Sequence, residues 1–261
     1  MFKVSKSTVS EFLLNGYVLQ DSPLKRSEIQ EIQEYYPTAD EKYRQGKWPK
    51  DAHPLAMRFA LMGERTFVLA ERAEFVNAAK LLLDAESVHV GCCGVGNAIE
   101  MVCGDGRPRK EIHWHSTPGS DLISENGVRQ VAFRFAIDVH DGTSGRLKIL
   151  PGTHRRSKSE IQIKIERELT DDKQRLVWNS QYFGNHREQV ELSLDDTKML
   201  MWTPDVWHAT GEMKTRKHRR ALSWIYFPRG GRFRDRNSIL DAFPEVVASW
   251  TPQRKALWGM E

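Results

Sequence analysis

The sequence predicts an α+β protein with a mainly β core. Three observations carry this. Apolar residues recur at helical spacing up to residue 87; from Val88 onward short apolar runs alternate with Gly, Pro, Asp and Asn; and the closing stretch turns helical again. Helices first and strands after predict one antiparallel barrel or sandwich carrying helices on its outside. The expected organisation is a single domain over residues 1–261: a mostly helical part at 1–87, a strand-built core at 88–230 and a helical segment at 231–261.

Each element follows in order. Ser7–Asn15 begins with a capping Ser and places Val9, Phe12 and Leu13 at helical spacing; Gly16 ends it, and Tyr17–Leu19 starts an extended piece. Ser27–Tyr36 repeats the pattern with Ile29, Ile32 and Tyr36, and the polar Pro37–Pro54 stretch reads as a loop. Ala70, Ala78, Ala79 and Leu81–Leu83 support a longer helix over Glu64–Asp84. The runs VHVGCC, AIEMVC, VAFRFAIDV, LKIL, QVELSL, KMLMW and ALSWIYF read as strands, with Phe133, Phe135 and Ile137 on one side of VAFRFAIDV. A helical insertion is expected over Ser157–Glu168, and a helix interrupted by Pro244 and Pro252 over Ile239–Trp258.

Composition narrows the function classes. At 39% hydrophobic and 28% charged residues the chain has a globular balance. It has no apolar run of membrane-spanning length and no signal-peptide pattern at MFKVSKSTVSEFLL, so a cytoplasmic location and no membrane partner are expected. Cys92, Cys93 and Cys103 are odd in number and partly adjacent, which argues for free, buried or half-buried thiols. The net charge of +4 is dispersed, the densest run being Lys214–Arg220; this argues against a nucleic-acid partner and leaves room for a small anionic ligand.

Two histidines stand out by context. His115 in EIHWHSTPGSD and His208 in KMLMWTPDVWHATGEM each lie near the end of a strand, where side chains reach a barrel mouth. Two His on one face suit a non-haem iron site that leaves positions open for co-substrate and oxygen. An Arg at the start of ALSWIYF, Arg219 or Arg220, can grip a carboxylate through two parallel hydrogen bonds. Trp114, Trp202, Trp207 and Trp224 surround these motifs, as core packing or as pocket lining. His154 reads as a loop residue.

Taken together, VSEFLLNGYVL, HWHST, GRLKILPGTHR, VWHATGEM and HRRALSWIYFP resemble, in order and spacing, the phytanoyl-CoA dioxygenase family of iron(II)- and 2-oxoglutarate-dependent oxygenases, which includes ectoine hydroxylase. The resemblance implies a double-stranded β-helix (a cupin-like jelly roll) for residues 88–230 and hydroxylation of an aliphatic C–H bond of a small molecule. It implies His115 and His208 as ligands of Fe(II), Arg219 as the partner of the distal carboxylate of 2-oxoglutarate, and Asn97 as a further co-substrate contact. Arg220 replaces Arg219 if the strand slips by one residue.

One position departs from the family pattern. The ligand carboxylate belongs two residues after His115, where this chain has Thr117. Asp121 or His113 could replace it, or the position stays vacant. Related halogenases have a small residue there so that chloride binds the metal, which makes halogenation the alternative reaction and chloride a further candidate ligand. A non-catalytic jelly-roll binding protein is the third reading. Trp250 and Trp258 suit either packing or an interface, so monomer and homodimer stay open.

Overall fold

The computed structural model describes residues 2–49, 53–98, 111–117, 124, 126–156, 183–214, 218–230 and 242–260. The expected helix over 157–168, the AIEMVC strand beyond Ala98, Cys103, Asp121 and Arg232–Arg236 lie outside the described residues. The described chain runs α1 (Lys6–Asn15), β1 (Tyr17–Asp21), α2 (Arg26–Gln45), α3 (Pro54–Leu61), α4 (Glu64–Ala70), α5 (Ala73–Leu83), β2 (Val88–Asn97), β3 (Ile112–His115) and β4 (Val131–Ala136). It continues through β5 (Leu147–Ile149), a 3₁₀ turn (Thr153–Arg155), β6 (Val190–Leu192), β7 (Lys198–Trp202), β8 (His208–Thr210) and β9 (Arg220–Pro228) to α6 (Pro244–Ala248) and α7 (Pro252–Leu257).

The strands form two antiparallel sheets, ordered β1-β7-β4-β9-β2 and β3-β8-β5-β6. This is the jelly-roll architecture with flanking helices. Strand alternation sorts the core into layers. Phe133 and Phe135 of β4 join Leu222, Trp224 and Tyr226 of β9 and the apolar faces of α1–α5 in one cluster outside the larger sheet. Ala132 and Ala136, on the other face of β4, join Leu147, Ile149, Leu192, Leu200 and Trp202 between the sheets. Trp114, Leu150, Trp207 and Ala209 form a third, small cluster. The helix layer lies close on β2: a Cβ at Gly96 would sit 2.0 Å from Leu55 Cδ2 of the neighbouring helix, so a residue without a side chain is needed there.

Three readings are corrected. Pro37 does not end the second helix, and Pro37–Gln45 continues it. Proline removes the N–H that would bond the carbonyl four residues earlier, that of Gln33, and Arg220 Nη1 donates to this oxygen at 3.4 Å instead. The helix expected over Glu64–Asp84 breaks between Ala70 and Ala73 into α4 and α5. Cys92 is exposed while Cys93 is buried, as alternation on β2 dictates. Trp224 packs against Phe75 and Phe135 on the helix side of the sheet, away from the barrel interior. Trp250 and Trp258 are buried against Phe67 and serve packing. Among the described residues no helix is long and apolar enough to cross a membrane.

Candidate active site

β3 and β8 are adjacent and antiparallel, with His115 directly opposite His208. On its other side His208 is opposite Ile149 of β5, which belongs to the inter-sheet core. Cross-strand partners share a face, so both imidazoles face the barrel interior. Their ring centroids are 4.1 Å apart, close enough for one ion to take both. Alternation turns their neighbours Trp114 and Trp207 to the opposite face. Trp202 stands edge-on to His208 at 4.7 Å and lines the site.

The hydrogen bonds fix the tautomers. His115 Nδ1 is 2.7 Å from the carbonyl of His113, and His208 Nδ1 is 2.8 Å from that of Val206. A carbonyl only accepts, so each Nδ1 carries the proton and each Nε2 keeps its lone pair. This backbone support is the usual second partner of a metal-bound imidazole. Burial lowers the pKa of His115, against the opposing bond to His113. His208 lies well below the ordinary value, first through burial and then through the charge of His115. Both rings are therefore neutral at neutral pH, each with an Nε2 lone pair that could bind a metal.

Thr117 is exposed. Its N–H donates to Pro204 O at 2.8 Å, and its carbonyl accepts from Gln130 Nε2 at 2.5 Å, so the backbone after His115 is held beside the turn leading into β8. The His113 ring lies 5.0 Å from that of His115 and edge-on to Phe183. Among the described residues no group of three His, Cys, Asp or Glu side chains is placed to hold a metal, so His113 does not complete a three-ligand set. His154, in the 3₁₀ turn, packs beside Gly16 and not at this site.

Arg219 and Arg220 face opposite ways. Arg220 clamps Asp138 from outside the barrel, Nε and Nη2 donating at 2.8 and 2.7 Å, over the ring of Tyr36. Arg219, 1% exposed, therefore points inward, and its Nε donates to Gly145 O at 2.6 Å in the turn before β5. Gly145 has φ +86, and a Cβ there would meet Gly211 O at 2.5 Å, so only glycine presents its carbonyl in this way. Asn97 Oδ1 accepts from Arg219 N at 3.0 Å and its Nδ2 lies 3.1 Å from His218 Nδ1, so its amide positions the arginine.

Arg134 on β4 is a site residue the sequence reading missed. Its cross-strand partners are Leu200 and Ser223, and Leu200 belongs to the inter-sheet core, so Arg134 faces the interior between Ala132 and Ala136. Burial pushes its pKa down to about 10. Arg219 is pushed down to about 9 by burial and by the charge of Arg134. Both guanidiniums stay charged at neutral pH. Arg134 Nε, Arg219 Nη2 and Trp202 Nε1 are buried donors without an acceptor among the described residues. Such groups are costly unless something anionic or accepting fills the space. The available signal was an Arg flanked by two small residues on the face of VAFRFA opposite the phenylalanines.

No protein-family model matches the chain, and no curated protein sequence matches it. Solved structures do. The non-heme alpha ketoglutarate dependent carbocyclase SnoK from nogalamycin biosynthesis is 17% identical, with a TM-score of 0.59 over 88% of this chain and 87% of that one. EctD from S. alaskensis with bound Fe is 14% identical, with a TM-score of 0.62 over 90% and 80% of the two chains. HygX from Streptomyces hygroscopicus is 11% identical, with a TM-score of 0.61 over 87% and 88%. At these identities the likeness shows the fold, the jelly roll described above.

Proposed function

We propose that this protein is an iron(II)- and 2-oxoglutarate-dependent oxygenase of the phytanoyl-CoA dioxygenase type, hydroxylating an aliphatic C–H bond of a small molecule. One observation carries the reading. Two neutral, interior-facing histidines with free Nε2 atoms share a barrel with a buried, incompletely paired arginine. The donor set fits the metal, since two cis imidazoles leave the remaining positions open. A carboxylate fits Arg219, whose Nη2 lacks an acceptor among the described residues. EctD has been solved with 2-oxoglutarate and 5-hydroxyectoine, and SnoN with Fe3+, alpha ketoglutarate and nogalamycin RO, both in this fold.

His115 and His208 would hold the ion, each ring oriented by its Nδ1–H bond to a backbone carbonyl. Arg219, pinned by Gly145 and Asn97, would take the distal carboxylate of 2-oxoglutarate. Trp202 covers one side of His208 and excludes water from it. The chemistry such a centre would supply is C–H hydroxylation by dioxygen, with one oxygen atom going to the substrate and the other to succinate as 2-oxoglutarate loses CO2.

Thr117 favours a second reading, halogenation, because it leaves the carboxylate position without a carboxylate and so leaves room for chloride. An anaerobic titration of the iron(II) protein with 2-oxoglutarate, with and without chloride, tests both. The oxygenase reading expects a visible charge-transfer band that saturates with 2-oxoglutarate and is lost in His115→Ala and His208→Ala. No binding of 2-oxoglutarate refutes it. Tighter 2-oxoglutarate binding in chloride supports halogenation, and unchanged binding counts for hydroxylation.

A further inference from the structure

We propose that Arg134 is a second arginine of the anion pocket, so that the barrel interior holds a dicarboxylate between two guanidiniums. The proposal rests on the co-substrate reading above and deepens it. β4 lies in the middle of the larger sheet, between β7 and β9, and Arg134 is half-buried there, with its Nε fully covered. Ala132 and Ala136 flank it on the same face, so its neighbours along the strand are the smallest side chains available. Arg134 makes no hydrogen bond or ion pair with a described residue, and its Nε is buried. A largely covered guanidinium without a partner is unfavourable, and an anionic ligand would offset that cost.

Its surroundings say which ligand. Arg134 lies opposite Ser223 of β9, four residues on from Arg219 and so on the same face, which sends both guanidiniums into one interior, and the charge of Arg134 is felt at Arg219. The unpaired polar atoms of Arg134, Arg219 and Trp202 are all donors, so the occupant must be an acceptor. Two positive charges match the two carboxylates of 2-oxoglutarate, with no metal needed to balance them. The pocket should therefore bind dicarboxylates in the metal-free protein and discriminate against monocarboxylates.

The test is calorimetry on chelator-treated, metal-free protein with 2-oxoglutarate, glutarate and, as the monocarboxylate, butyrate. Wild-type protein is expected to bind both dicarboxylates and to bind butyrate far more weakly. Arg134→Met should weaken dicarboxylate binding about tenfold to a hundredfold, the scale of one charged hydrogen-bonding group, and Arg134→Lys should recover part of it. Ligand-free Arg134→Met should melt at or above the wild-type temperature, because an uncompensated charge has been removed. Wild-type affinity in Arg134→Met alongside lost affinity in Arg219→Met overturns the proposal. So does a lowered ligand-free melting temperature, or failure to fold, in Arg134→Met, which marks a structural role. If the iron(II) protein ignores 2-oxoglutarate while glutarate still binds through Arg134, the co-substrate reading falls and the two-arginine site stands. Binding of no dicarboxylate overturns both.

Discussion

Asp138 is the hinge between fold and site, and Asp138→Ala is the perturbation that exposes it. Its carboxylate accepts from Arg220 N, Nε and Nη2 at 2.8, 2.8 and 2.7 Å. The side chains of Arg220 and Asp138 keep only 9% and 15% of their accessible surface. Removing one partner of a buried pair strands the other charge and costs about 3–5 kcal/mol. The residual exposure puts this pair at the lower end, about 3 kcal/mol, or a fall in Tm of about 6–12 °C for a chain of this size. Replacing both partners at once, Asp138→Val together with Arg220→Met, should recover most of that loss, because no charge is then stranded. Arg220 turned outward is also what turns Arg219 inward, so Asp138→Ala should weaken 2-oxoglutarate binding as well. Thermal denaturation and calorimetry on the single and double variants measure both effects. A Tm change below about 2 °C in Asp138→Ala would refute the argument, since that is the scale of an exposed pair. Burial raises the Asp138 pKa, but the bonds and charge of Arg220 outweigh it and hold the group below its ordinary value. This contribution is therefore present above the ordinary carboxylate pKa and is lost as pH falls below it.

Gly145→Ala should cost about 2–4 kcal/mol, combining the left-handed backbone with the clash at Gly211 O, and should weaken 2-oxoglutarate binding by moving the carbonyl that holds Arg219 Nε. Wild-type affinity in a folded Gly145→Ala would refute that link. His89 and His154 are pushed down to about 4 by burial and by Arg229 and Arg155 respectively, and burial holds His140 well below the ordinary value. Each disfavours protonation in the folded state, so stability is full above about pH 6.5 and falls as pH drops, by at most about 1.4 kcal/mol per unit per histidine. Urea midpoints that stay flat from pH 7 to 5 would contradict this. Thr117→Asp supplies a carboxylate two residues after His115 and should tighten iron(II) binding about tenfold to a hundredfold, the scale of single changes around a metal. It should also abolish any chloride effect, as competition with a chromophoric chelator can measure.

The legible parts of the fold were those whose apolar period is long enough to read. β2, β4, β7 and β9 stand out because five or more residues alternate or run apolar against turn residues. β3 and β8 span four and three residues, too few to show a period, yet they carry both histidines. α2 passes through Pro37 because Arg220, distant in sequence, takes up the carbonyl that proline leaves unbonded. No local rule contains that contact. Arg134 was equally hidden, since one Arg in an alternating run reads as a solvent-facing strand position.

The sequence by itself determined the order of helices and strands, the candidate histidines and arginines, and the missing carboxylate at Thr117, because these follow from residue type and spacing along one chain. Tertiary structure alone decided that His115 and His208 meet across neighbouring strands with their Nε2 atoms free, and that Arg219 and not Arg220 faces inward. It alone turned Arg134 toward the same interior. The reason is register. Which face of a strand lies inside depends on partners far away in sequence: Ile149 for His208, Leu200 for Arg134, Asp138 for Arg220.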